Sequence, residues 1–101
     1  MSDTPVSWHP VSPAEDGDGL DVDTSLTVDG WQITPATWDG VAAWCGGTQV
    51  WNPRGVALGS LDPGSIAYLG DYVMHTAPTV WEVSRADGHY QRWALAEPDA
   101  A

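Results

Sequence analysis

The chain has 101 residues, with 14 Asp and Glu against three Arg and no Lys, so its formal net charge is -11. This length corresponds to one domain. Three cations can neutralise few phosphates, so composition excludes direct binding to nucleic acid or to an anionic membrane surface. The chain also has seven Trp and no Phe.

The negative charge is concentrated near the start of the sequence. Seven of the 14 acids fall in the first 30 residues, where there is no base: Asp3, Glu15, Asp16, Asp18, Asp21, Asp23 and Asp29. The remaining residues hold seven acids and three Arg, a net charge of -4. Residues 1–19 also contain several Pro and Gly, which disfavour regular structure. We therefore predict a flexible acidic tail over 1–19, one domain over 20–97 and a disordered C-terminus over 98–101.

Sequence features of cellular location are few. A single cysteine, Cys45, excludes an internal disulfide and fits a reducing cytosol. Residues 1–13 lack the basic and apolar regions of a signal peptide. No apolar run reaches the roughly 20 residues needed to span a bilayer. We expect a soluble protein of the cytoplasm.

The first predicted elements are a strand and a helix. Residues 26–33 are typical of extended chain, with a break at Asp29-Gly30. Thr34-Pro35 favours helix entry. Four apolar residues then follow at helical spacing: Trp38, Val41, Ala42 and Cys45. Gly46-Gly47 ends this helix, since glycine accepts the left-handed conformation of a helix C-terminus.

The rest of the chain predicts short strands and a second helix. The strands cover residues 48–51, 56–58, 65–69, 72–76 and 79–83, separated by Pro, Gly and Asp turns. Ser84-x-x-Asp87 resembles a capping box that opens a final helix ending before Pro98. The order predicts an α+β fold in which a small antiparallel sheet of short strands carries two short helices, preceded by the disordered acidic tail.

The helix end carries a resemblance to a known group of proteins. The run from Val41 to Gly47, VAAWCGG, resembles small proteins of actinobacterial tailed phages and prophages. Those proteins have a strand near a Trp, a helix with this ending, and then β-hairpins. Gly70-Asp71-Tyr72-Val73 and Val80-Trp81-Glu82-Val83 are similar to their later strands. The resemblance covers roughly residues 24–95 and implies a phage origin and a fold, but no particular activity.

Candidate catalytic and metal sites are weak. Cys45 lies at a predicted helix C-terminus, where the helix dipole disfavours a thiolate. Ser84, Asp87 and His89 on one helix would not face a common point. Zinc-ligand spacings are missing, and the acidic run 16–23 fits no register of a calcium loop. We predict no enzyme activity, no cofactor and no metal.

The tryptophans divide into predicted core and predicted surface. The predicted core residues are Trp31, Trp38, Val41, Cys45, Trp81 and Trp93. Seven indoles exceed what a small core buries easily, so exposed ones are candidate anchors for a partner protein. The predicted binding residues are Trp8, Trp51, Asp16, Asp18 and Asp21.

Three functions are compatible with these features. The first is a non-catalytic phage protein that binds a host or phage protein, of the host-takeover or anti-defence type, in the host cytoplasm. The alternative is a minor structural or decoration protein of the virion, docked by strand addition or by its Pro-rich arm. The third is a small-molecule binder or enzyme, which a pocket combining Tyr72, His75 and Arg92 would support.

Overall fold

The computed structural model describes residues 4–13, 19–51, 53–59 and 65–96. Its helices are α1 (Trp38–Cys45) and α2 (His89–Arg92). Its strands are β1 (Val6–Pro13), β2 (Leu20–Val22), β3 (Val28–Gln32), β4 (Thr48–Trp51), β5 (Arg54–Ala57), β6 (Ile66–Tyr68), β7 (Tyr72–Ala77), β8 (Val80–Ser84) and β9 (Trp93–Leu95). The prediction of an α+β fold with mostly short strands and two helices is confirmed at this level.

The strands form two antiparallel sheets. The larger sheet has the order β2-β1-β3-β7-β8, and β9 also pairs with β1. The smaller sheet has the order β4-β5-β6. Between Tyr72 and Ser84, β7 and β8 form a hairpin with a register irregularity between His75 and Ala77.

The first strand corrects a prediction. Residues 6–13 were predicted to be part of a flexible tail, but β1 pairs with β2, β3 and β9 and so belongs to the larger sheet. Trp8, predicted to be accessible, is only 4% exposed. The tail prediction is therefore wrong for residues 6–13. Its residues 14–18, and the predicted C-terminal segment 98–101, lie outside the described residues.

A close contact at Gly30 explains why β1 docks. The Trp8 indole Nε1 donates a hydrogen bond to the Gly30 carbonyl at 3.3 Å. A Cβ atom at position 30 would collide with Met74 Sδ and would lie 2.8 Å from Trp8 Cδ1. Glycine is required here because two side chains from neighbouring strands occupy its Cβ space. Gly30 therefore lies inside an unbroken β3, and the predicted break at Asp29-Gly30 is wrong.

The centre of the larger sheet is buried on both faces, because residues of β7 alternate between two apolar clusters. The first cluster contains Trp31, Ile33, Val41, Ala42, Val56, Ala67 and Val73. The second contains Trp8, Tyr72, Met74 and Trp93. Helix α1 and strands β5 and β6 contribute to the first cluster, whereas β1 and β9 contribute to the second. The core therefore lies on two faces of the larger sheet and a second sheet contributes to it, whereas the sequence predicted a single sheet that carries both helices.

Helix α1 is bounded by a threonine pair and a glycine. Thr37 Oγ1 donates to the Gln32 carbonyl at 2.7 Å and accepts the Thr34 N–H at 2.8 Å, which fixes the turn before Trp38. Gly46 ends the helix with a φ of 66° and donates its N–H to the Ala42 carbonyl. The predicted glycine stop is confirmed. The N-cap of α1 is Thr37, three residues after the predicted N-cap, Thr34.

The predicted final helix is largely strand and turn. Ser84 is the last residue of β8, and α2 is only the four residues His89–Arg92. The Asp71 carboxylate accepts hydrogen bonds from the Ala86 backbone N–H at 3.0 Å and from the Arg85 guanidinium at 2.9 Å. These two bonds stabilise the turn after β8. Trp93 then begins β9 and is buried in the second cluster. Backbone pairing with β1 and burial of this indole outweigh local helix propensity.

Substitution of Gly30 tests the packing of Trp8. We expect Gly30→Ala to lower the free energy of unfolding by about 1–3 kcal/mol, because the added methyl overpacks a site between Met74 and Trp8. Urea unfolding followed by tryptophan fluorescence measures this change. Gly88→Ala is the matched control, since a Cβ there meets no atom within 4 Å. Equal stability of the two variants would contradict the packing at Gly30.

Candidate protein-binding surface

Trp51 is the most exposed large apolar side chain among the described residues, at 67%. It is the last residue of β4 and pairs with Arg54 across the β4–β5 hairpin. The sequence favours this hairpin because a β-prone run is followed by Pro53 and Gly55. The structure therefore places the predicted anchor Trp51 at the end of a strand that, among the described strands, pairs only with β5.

A second indole holds Trp51 in place. Trp38 is half-buried under it, with ring centroids 5.4 Å apart and an interplanar angle of 73°. Trp38 is fixed in turn, because its Nε1 donates to the Gly55 carbonyl at 2.7 Å. Edge-to-face contacts of this kind contribute about 0.5–1.5 kcal/mol beyond burial. Trp51 is therefore exposed but oriented, which lowers the entropy lost on binding.

The charges around this pair are few and mixed. The Arg54 guanidinium carbon lies 5.7 Å from the Trp38 ring centre, within the range of a cation–π contact. Gln49 donates to the Asp39 carboxylate at 2.5 Å, at the start of α1. We define Trp51, Trp38, Arg54, Gln49 and Asp39 as the Trp51 surface. Trp and Arg are the residue types that contribute most often to protein interfaces.

The other predicted binding residues do not join this surface. Trp8 is buried in the second cluster, so its prediction as a partner anchor is wrong. Asp21 is exposed on β2, in the other sheet. Asp16 and Asp18 lie outside the described residues.

The predicted core residues lie in or against the two clusters. Trp31 and Val41 belong to the first cluster, and Trp93 to the second. The half-buried predicted core residues that pack against the first cluster are Trp38, Cys45 and Trp81. Burial raises the pKa of the Cys45 thiol, so at neutral pH it stays protonated and unreactive.

The structure brings together a serine and a histidine that sequence reasoning kept apart. Ser84 Oγ and His89 Nδ1 are 2.6 Å apart, because Ser84 ends β8 and His89 begins α2. Both residues are buried, and the His89 ring stacks on Tyr72 with centroids 3.5 Å apart. A substrate cannot reach this pair without opening the second cluster. The His89 ring packs against Tyr72 and Trp8, and no local sequence pattern predicted its contact with Ser84.

The electrostatics of His89 follow from its burial. His89 is 0% exposed, and its Nε2 has no hydrogen-bond partner among the described residues. Burial lowers the pKa of His89 to about 4, with a further lowering by the nearby Arg92 charge. The imidazole is therefore neutral at physiological pH.

The three residues that would support a small-molecule function, Tyr72, His75 and Arg92, do not line one cavity among the described residues. Tyr72 lines a groove of about 310 Å³ together with Trp8, Tyr90 and Leu95. Arg92 lines a different cavity, and His75 stacks on Trp81 at 3.9 Å between ring centroids. Neither cavity is lined by all three residues that the sequence analysis named.

Searches for other sites and for relatives add little. Among the described residues, three or more metal-ligating side chains never cluster, and neither helix has the length and apolar character to cross a membrane. Comparison with protein-family models, with curated proteins and with solved structures gave no match.

The buried histidine generates a pH prediction. Below about pH 6.5 the unfolded chain protonates His89, whereas the folded state resists protonation until about pH 4. The unfolded state thus binds more protons in this window, and stability falls as pH falls, by about 3 kcal/mol in total. Urea unfolding between pH 7 and pH 5 measures the upper part of this loss.

His89→Asn is the control for that measurement, because asparagine preserves a polar contact with Ser84 but does not titrate. We expect the variant to lose less stability between pH 7 and pH 5 than the wild type. Identical pH profiles for the two proteins would contradict the assignment of the effect to His89.

Proposed function

We propose that this protein is a non-catalytic phage accessory protein that acts by binding a host or phage protein, of the host-takeover or anti-defence type. One observation carries the proposal of binding: Trp51 is 67% exposed and is held on Trp38. An apolar ring of this size costs free energy in water, and it contributes most when a partner covers it. The phage origin is supported only by the sequence resemblance, mainly by the VAAWCGG run over residues 41–47.

The chemistry of the other polar groups supports binding over catalysis. The Ser84–His89 pair is sealed by Tyr72 and Trp8, and the Cys45 thiol is protonated. Nucleophilic catalysis needs an accessible nucleophile with an oriented base. The Trp51 surface, in contrast, offers an accessible ring, a guanidinium and a carboxylate together.

The alternative proposal is a minor virion component. In one form of this proposal, a free Pro-rich arm at the N-terminus would wrap around a neighbouring protein of the virion. Because residues 6–13 form β1 inside the larger sheet, that form of the proposal is weakened. Docking by strand addition is unaffected. Mass spectrometry of purified particles separates the two proposals: stoichiometric peptides in the particle favour the virion role, and their absence favours the accessory role.

Substitution of Trp51 tests the binding proposal. We expect Trp51→Ala to weaken capture of the partner from infected cells by about 30-fold or more, the effect of losing an interface hot spot of about 2 kcal/mol. The free energy of unfolding should change by no more than about 1 kcal/mol, since the ring is mostly exposed. Quantitative affinity capture and urea unfolding measure the two effects.

Val80→Ala is the matched control, because Val80 is an exposed apolar residue in the other sheet, at 43%. It should retain full capture. A partner that binds Trp51→Ala and wild type equally would contradict the role of the Trp51 surface.

A further inference from the structure

A second exposed apolar surface is formed by β2 and the loop that follows it. Leu20 is 49% exposed, Val22 44% and Leu26 55%. All three residues of β2 are exposed. Three of the exposed large apolar side chains of the described residues therefore lie within seven positions of the sequence, two on β2 and Leu26 in the loop before β3.

The backbone of β2 is open on one side. β2 stands at one end of the larger sheet and pairs only with β1 among the described strands. The Asp23 N–H donates to the Pro10 carbonyl at 2.9 Å, so the backbone N–H and C=O of Asp23 point toward β1. Because these groups alternate in direction along a strand, the backbone groups of Asp21 point toward β1 as well. By the same alternation, the N–H and C=O groups of Leu20 and Val22 point away from β1, to an edge that no other described strand covers.

The side chains of this segment alternate in chemistry. Leu20 and Val22 share one face of β2, whereas Asp21 and Asp23 lie on the other. The Asp23 carboxylate accepts the Ser25 N–H at 3.0 Å and the Ser25 hydroxyl at 2.5 Å, and these bonds lower its pKa. Asp23 is therefore ionised and oriented at neutral pH. The surrounding sequence adds to this charge, since the first 30 residues contain seven acids and no Lys or Arg.

We propose that β2 is a strand-addition site for an extended segment of a partner protein in which apolar and basic residues alternate. The open backbone of Leu20 and Val22 supplies the hydrogen bonds, and their side chains pack on the apolar residues of the added strand. Asp21 and Asp23 face its basic residues, because opposite charges directly across a strand pair attract. The net charge of the protein steers such a segment toward the site.

Charge also excludes the simplest other occupant, a second copy of β2. A copy paired on this edge would bring its own Asp21 and Asp23 near the same carboxylates, and like charges across a strand pair repel. The site therefore favours a basic partner over self-association. The β2 site contains none of the residues of the Trp51 surface, so its test is independent of the test of the proposed function.

A peptide titration tests this site. The probe is a short synthetic peptide in which arginine and valine alternate, and the comparison peptide has glutamate in place of arginine. We expect the arginine peptide to bind the full chain at moderate salt and the glutamate peptide to bind at least about tenfold more weakly. Equal binding of the two peptides, or no binding of the arginine peptide, would overturn the proposal.

Two substitutions of Val22 separate strand addition from simple charge attraction. Val22→Pro removes the outward N–H but no bond to β1, and proline is tolerated on an edge strand in this position. Val22→Thr keeps that N–H. We expect Val22→Pro to bind the arginine peptide about tenfold more weakly than Val22→Thr. Equal binding by the two variants would mean that the peptide binds through charge alone, against the proposal.

Amide hydrogen exchange in the wild-type chain provides a readout that needs no variant. Saturation with the arginine peptide should slow exchange at Leu20 and Val22, and binding without such protection would overturn the proposal. Trp51→Ala is titrated in parallel and should bind the peptide as wild type does. Loss of peptide binding in Trp51→Ala would place the peptide on the Trp51 surface and would also overturn it.

Discussion

The fold depends on the contact between the Trp8 indole and Gly30. This contact joins β1 to β3, and Met74 from β7 closes the same space from the next strand. One tryptophan thereby ties the start of the chain to the centre of the larger sheet. The second apolar cluster, the pairing of β9 and the burial of His89 all form around this tryptophan.

Because β1 is part of the larger sheet, part of the acidic N-terminal region has a fixed geometry. A charged tail can attract a basic partner, but it presents its carboxylates in no fixed geometry. Here Asp21 lies in β2 and Asp23 directly after it, and β2 is paired with β1 in the larger sheet. The two carboxylates therefore have defined positions beside exposed apolar side chains. The two surfaces proposed for partner proteins therefore differ: one is an oriented tryptophan on the smaller sheet, and the other is an acidic edge strand on the larger sheet.

Local patterns in the sequence predicted some elements well. Helix α1 and its glycine end follow from the spacing of Trp38, Val41 and Cys45, and the central hairpins follow from their turn residues. The sequence did not predict β1, because its prolines indicate irregular chain and the burial of Trp8 depends on distant residues. For the same reason the Ser84–His89 pair was missed, since tertiary packing replaces the predicted helix there with a strand, a turn and β9. The exposure of Trp51 could be predicted from the surplus of tryptophan, but its support by Trp38 could not.

Amide hydrogen exchange along β1 tests the central claim most directly. The claim is that residues 6–13 belong to the folded domain through Trp8. It predicts that the amides of Trp8 and His9 exchange slowly, with protection comparable to that of Val73 in β7, because all three lie in the same sheet. Exchange of Trp8 and His9 at the rate of unstructured chain, with Val73 still protected, would contradict the account.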